Sequence, residues 1–166
     1  MIVMSAINQA ILDRLKSDTG TGGLYNGGVW NYISGAWAAA APASAQFPYL
    51  VWTLNWSAEP SRQADEYALI ASFTVYDDAS TYVDDSNFAN RVSPVVDRVH
   101  GDAVLQSGST PTYGFNRYAL TLATNGYSAK ASTCLLTEGQ MGMVDEKIIS
   151  VTTNMKFRVT ALAANP

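Results

Sequence analysis

The sequence predicts an α+β fold, an antiparallel (mixed) sheet of about four to five strands with two helices packed on one face. Three observations predict it. Two segments repeat apolar residues at helical spacing, and several others alternate apolar and polar residues at a period of two. Their order along the chain is α, loop, β, β, α and then two or three β. Stacking both helices on one sheet face buries every apolar stripe at once.

The first helix is predicted over about residues 5–17, with Ser5 as its cap. Ile7, Ile11 and Leu15 recur every four residues, with Ala10 and Leu12 beside them, while Asp13, Arg14 and Lys16 fall elsewhere on the wheel. Ser17-Asp18-Thr19-Gly20 is a stop signal. A long excursion follows near 18–46, mixing glycine, alanine and isolated aromatics. Asn26-Gly27 marks a hairpin turn within it. A loop of this length in a compact domain is usually functional or flexible.

The segment FPYLVWTLNWSAEP, residues 47–60, reads as a strand. Leu50, Trp52, Leu54 and Trp56 take one face and Tyr49, Val51, Thr53 and Asn55 the other. An exposed row of Trp and Leu is an aggregation hazard, so the even positions are expected to be buried. DEYALIASFTVYDD, residues 65–78, alternates in the same way, with Tyr67, Leu69, Ala71, Phe73 and Val75 on one side. The polar link between the two strands predicts an antiparallel hairpin. The acid pairs Asp77-Asp78 and Asp84-Asp85 stand where a helix is about to begin, which favours capping and solvation over catalysis.

The second helix is predicted over about 85–100, with Phe88, Val92, Val95, Val96 and Val99 on one face. Pro94 implies a kink, or a restart with Ser93 as cap. His100-Gly101 stops it. A second long excursion spans about 106–145. It contains an alternating stretch at Tyr118, Leu120 and Leu122, a turn at Asn125-Gly126, a short strand candidate at Ser132–Leu136 and a flexible connection over Gly139–Asp145. The clearest pattern comes last: Ile149, Val151, Thr153, Met155, Phe157, Val159 and Ala161 alternate with Ser150, Thr152, Asn154, Lys156, Arg158 and Thr160. This is a long strand with one wet face. The 166 residues suit a single domain, 1–166.

Composition narrows the function. The charged fraction of 14% is low against a usual value of about 25%. Such a surface suits burial in an assembly, or a monomer coated in Ser, Thr and Asn. Ten basic residues without a basic run, and a formal charge of −4, argue against a dedicated nucleic-acid binder. The one cysteine, Cys134, excludes an intramolecular disulfide and a cysteine-based zinc cluster. The amino terminus lacks the basic n-region of a signal peptide, and no stretch approaches a membrane span, so synthesis and folding in the cytoplasm are expected. No P-loop, dinucleotide fingerprint, zinc-protease helix or nucleophile elbow is present, and His100 is the only histidine. No catalytic residue, metal ligand or cofactor is therefore assigned, and no enzyme activity is expected.

The order of the pieces resembles the tail terminator proteins of long-tailed bacteriophages, the minor tail protein U type. Four pieces carry the resemblance: the amino-terminal helix ending in Ser17-Asp18; FPYLVWTLNWSAEP; the strand ASFTVYDDAS leading to ANRVSPVVDRV, with its R-h-x-P-V pattern (h for apolar) at Arg91–Val95; and the closing strand NMKFRVTA. The chain departs from the pattern in its two long excursions. The resemblance implies a structural virion protein without enzymatic activity. It would form a homo-oligomeric ring, commonly a hexamer, at the head-proximal end of the tail tube, stopping polymerisation and offering a surface to a head–tail connector or stopper protein. Assembly in the host cytoplasm is implied, and DNA would pass through an acidic lumen without specific binding. Tyr25, Trp30, Tyr32 and Trp37 are the candidate contacts with neighbouring subunits or the tube, or else they fold back over the core. Acidic subunits raise the question of magnesium-dependent association. Other readings are a different head–tail completion or tail tube component, or a small ligand-binding module using Trp52 and Trp56.

Overall fold

The structure is a computed structural model of the chain. It describes residues 4–17, 33–60, 65–82, 90–100, 127–128 and 135–161. The elements are α1 (Met4–Ser17), β1 (Ala36–Ala38), β2 (Tyr49–Pro60), β3 (Asp65–Asp78), a 3-10 turn (Ala79–Thr81), α2 (Ser93–His100), β4 (Tyr127–Ser128), β5 (Leu135–Met143) and β6 (Ile148–Ala161).

The strands form one mixed sheet in the order β1-β2-β3-β6-β4, with β5 also on β6. β1 runs parallel to β2, and the other pairs are antiparallel. β4 meets residues 160–161 of β6 and β5 meets residues 149–156, so these two lie end to end along one edge. The predicted β2–β3 hairpin forms in full register from Tyr49↔Tyr76 to Pro60↔Asp65.

Both helices cover the same sheet face. Ile7, Ala10, Ile11 and Leu15 of α1 join Val92, Val95 and Val99 in one core with Leu50, Trp52, Leu69, Ala71, Phe73, Val75, Val151, Met155, Phe157 and Val159. Ile11 and Leu15 are wholly buried, worth about 1.5–3 kcal/mol each. α1 is tied to the sheet as well as packed on it, because Trp52 Nε1 donates to Asn8 Oδ1 at 2.9 Å. α1 begins at Met4, so Ser5 lies inside its first turn.

The approach to α2 resolves the Pro94 question. Asn90 and Arg91 are helical, Val92 is a turn residue, and α2 starts at Ser93. The Val92 carbonyl accepts from the N–H groups of Val95 and Val96, at 3.0 and 3.1 Å. Val92 thus takes the cap position offered to Ser93, and Pro94 stands in the first turn, where its missing N–H costs nothing.

Three further expectations are corrected. Trp56 is 54% exposed, although Leu50 and Trp52 of the same row are buried and Leu54 packs partly on the core. The row runs from the core cluster, which holds Leu50 and Trp52 and is touched by Leu54, out to Trp56, which is not part of it. Gly139–Asp145 is not a flexible connection: β5 continues through Met143, and a tight turn leads into β6, closed by Val144 N–H donating to the Ile148 carbonyl at 2.8 Å. Finally, Asp77 is buried rather than solvated. The strand at Tyr118–Leu122, the turns at Asn26-Gly27 and Asn125-Gly126, the acids Asp84-Asp85, and Phe88 and Cys134 lie outside the described residues.

Candidate interaction surface

The sheet face opposite α1 and α2 has two characters. At the β6 side it is polar: Thr74 and Thr152 hydroxyls meet at 2.9 Å across β3 and β6, and Lys156 and Arg158 are exposed. At the β1 side it is aromatic. Tyr49 and Tyr76, directly opposite in the ladder, stack with centroids 5.2 Å apart. Phe47 stacks on Tyr49 from the other side at 5.3 Å, and Trp37 meets Tyr49 edge-on at 6.1 Å. Burial raises the Tyr49 phenol above its ordinary pKa, and Tyr76 beside it adds to the rise. The sequence places these residues on the right faces but not opposite one another; register, which only the pairing supplies, brings them together.

Trp37 is the one of the four candidate contact residues that the structure describes; Tyr25, Trp30 and Tyr32 lie outside the described residues. Trp37 sits on β1, half-buried, with its ring over Gly35, where an added Cβ would come within 2.6 Å of Cζ2. The loop around it is laced onto β2. Ser34 N–H donates to the Pro48 carbonyl at 2.8 Å, Leu50 N–H to Gly35 at 3.0 Å and Ala39 N–H to Trp52 at 2.8 Å, and the Ser34 hydroxyl donates to the Gln46 carbonyl. The Phe47-Pro48 peptide is cis, and Ala39 has a positive φ of 66°.

Where β3 ends, a polar cluster joins the sheet to the approach to α2. The buried Asp77 carboxylate accepts from Arg91 Nε (2.8 Å) and Nη2 (2.7 Å), from the Tyr82 hydroxyl (3.1 Å) and from Asp78 N–H (2.9 Å). Four donors use up the acceptor capacity of a carboxylate, so Asp77 acts as a tie. Asp78 does cap, as expected: its carboxylate accepts from Ser80 N–H at 2.8 Å, opening the 3-10 turn, and the Ser80 hydroxyl first, then that N–H, lower its pKa. Burial first, then the Asp77 charge, push the Tyr82 phenol far above its usual range. The Asp77–Arg91 pair joins two pieces that the resemblance had only placed in order. Its signal was an acid ending a strand and an arginine opening a helix fourteen residues on.

Exposed apolar groups gather at two further places. Trp56, opposite Leu69, and Ile70, opposite Asn55, stand on opposite faces of the β2–β3 hairpin, and Met141, Met143 and Val144 form the apex of the β5–β6 hairpin. Among the described residues no group of three or more His, Cys, Asp or Glu could hold a metal ion, and no helix is long and apolar enough to cross a membrane.

No protein-family model matches the chain, and no curated protein matches it by sequence. Among solved structures, the fold matches a chain described as part of the virion of a native gene transfer agent particle. The TM-score is 0.55 at 11% identity, over 96% of this chain and 98% of that one. At that identity the two share a fold, end to end, rather than a recognisable sequence.

Proposed function

We propose that this chain is a structural virion protein of a phage-like particle, and that it forms a homo-oligomeric ring, a hexamer, on the head-proximal end of the tail tube. In this reading the ring ends tube growth and presents the joining surface for a connector or stopper protein. The observation that carries it is the whole-length match to a chain from a virion. Near-complete coverage in both directions means that the likeness is to the entire chain and not to a common sub-structure.

Surface chemistry supports an assembling protein. A ring needs two different patches on one subunit. The described surface offers separate ones: the Phe47–Tyr49–Tyr76 stack with Trp37, the exposed Trp56 on the other face, and the β5–β6 apex. Aromatic and methionine side chains are the types enriched at interfaces. With fourteen acids against ten bases, an acidic lumen would let a DNA genome pass without holding it.

The same match also favours a second reading, another ring of the virion such as a head-completion or tube component, because the matched chain is described only as part of a particle. Adding the purified chain to polymerising tail tubes separates the two. A terminator caps one end and stops growth without entering the tube. A tube component is incorporated along it, and a head-completion protein leaves tube growth unchanged.

A further inference from the structure

We propose that Met141 and Met143 form an oxidation site on the β5–β6 hairpin, which a hydroperoxide modifies while the chain stays folded. They are two residues apart on one strand, opposite Val151 and Ile149, so their side chains share a side of β5. They are 62% and 58% exposed, whereas Met155, on the adjoining strand, is wholly buried in the core. Every residue from Met141 to Lys147 is exposed, and a Cβ added at Gly142, between the two methionines, would meet nothing within 4 Å. A peroxide therefore reaches both sulfurs without any opening of the fold.

The chemistry balances with hydrogen peroxide as the oxidant. A sulfur lone pair attacks one peroxide oxygen and the O–O bond breaks. The sulfur, oxidised by two electrons, keeps that oxygen as a sulfoxide, and the other oxygen leaves as water after taking up a proton. The consequence is local. Two flexible apolar side chains become polar ones at an apex that otherwise exposes Val144.

Tryptic mapping after peroxide treatment tests this on the full chain, because cleavage after Lys130, Lys147 and Lys156 puts Met141 and Met143 on one peptide and Met155 on the next. The folded wild type is expected to gain an oxygen at Met141 and another at Met143 while Met155 stays unmodified. In denaturant Met155 is expected to oxidise together with Met141 and Met143. Fragment ions distinguish these sites from Cys134 on the same peptide, and the Met141→Leu/Met143→Leu chain is expected to lose both additions. Oxidation of Met155 as fast as Met141 in the folded chain overturns the assignment, as does protection of Met141 and Met143 at a dilution where light scattering gives the mass of one chain. Working at that dilution separates this test from ring formation, since an apex buried between subunits would also be protected.

Discussion

Arg91 grips Asp77 with two parallel hydrogen bonds, 2.8 Å from Nε and 2.7 Å from Nη2, between a wholly buried carboxylate and a guanidinium that still touches solvent. The pair fixes the approach to α2 against the end of β3. Removing the guanidinium leaves a buried charge held by two weaker donors. Arg91→Ala is expected to cost about 3 kcal/mol, read as a lower urea midpoint. Asp77→Leu with Arg91→Met is expected to cost less than Arg91→Ala alone, because no charge is stranded.

Tyr82 makes stability depend on alkaline pH. Its folded pKa lies above its ordinary value of 10.0, through burial and the neighbouring Asp77 charge. A raised folded pKa contributes stability that is fully present below the unfolded value and is lost as pH rises toward the folded one. Thermal midpoints of the wild type should therefore fall above pH 10, and Tyr82→Phe should fall less steeply there. At the acid end the sign is opposite. The lowered Asp78 pKa gives stability that is present above the ordinary carboxylate range and lost as pH falls below it.

The Trp52–Asn8 hydrogen bond, 2.9 Å long, holds α1 on the sheet. Asn8→Ala leaves the buried indole N–H without its acceptor and is expected to cost about 1–3 kcal/mol in chemical denaturation. Trp56 is exposed and Trp52 buried. Trp56→Phe should therefore remove a large part of the acrylamide-quenchable, red-shifted emission, while the same quenching persists in Trp52→Phe.

Ala39 holds a φ of 66° while its N–H bonds the Trp52 carbonyl. A β-branched residue tolerates that conformation worse than alanine, and glycine tolerates it without strain. Ala39→Val is expected to lower stability by about 1–2 kcal/mol, and Ala39→Gly is expected to be neutral or slightly stabilising, both read from thermal melts.

The parts of the fold legible in the sequence are those where one stripe decides the structure. Ile7, Ile11 and Leu15 announced α1, and the alternation from Ile149 to Ala161 announced β6, because each faces a core on one side only. Three kinds of information were hidden. Trp56 has the pattern of a buried residue, but it stands outside the core cluster that buries Leu50 and Trp52 of the same row, and that is a tertiary fact. Glycines 139 and 142 masked β5, since they weaken strand propensity where pairing with β6 compensates. The Tyr49–Tyr76 stack and the Asp77–Arg91 pair depend on register and on where the chain returns, neither of which a local pattern carries. For the candidate surface, the sequence pointed to aromatics near 25–37, and Trp37 is the one among the described residues.

The central claim is a ring, and mass in solution tests it most directly. Light scattering across protein concentration, with and without magnesium, should give six copies of 17.8 kDa, about 107 kDa, with annular particles in negative stain. A chain that stays monomeric under every condition, and also leaves growing tail tubes uncapped, would contradict the account.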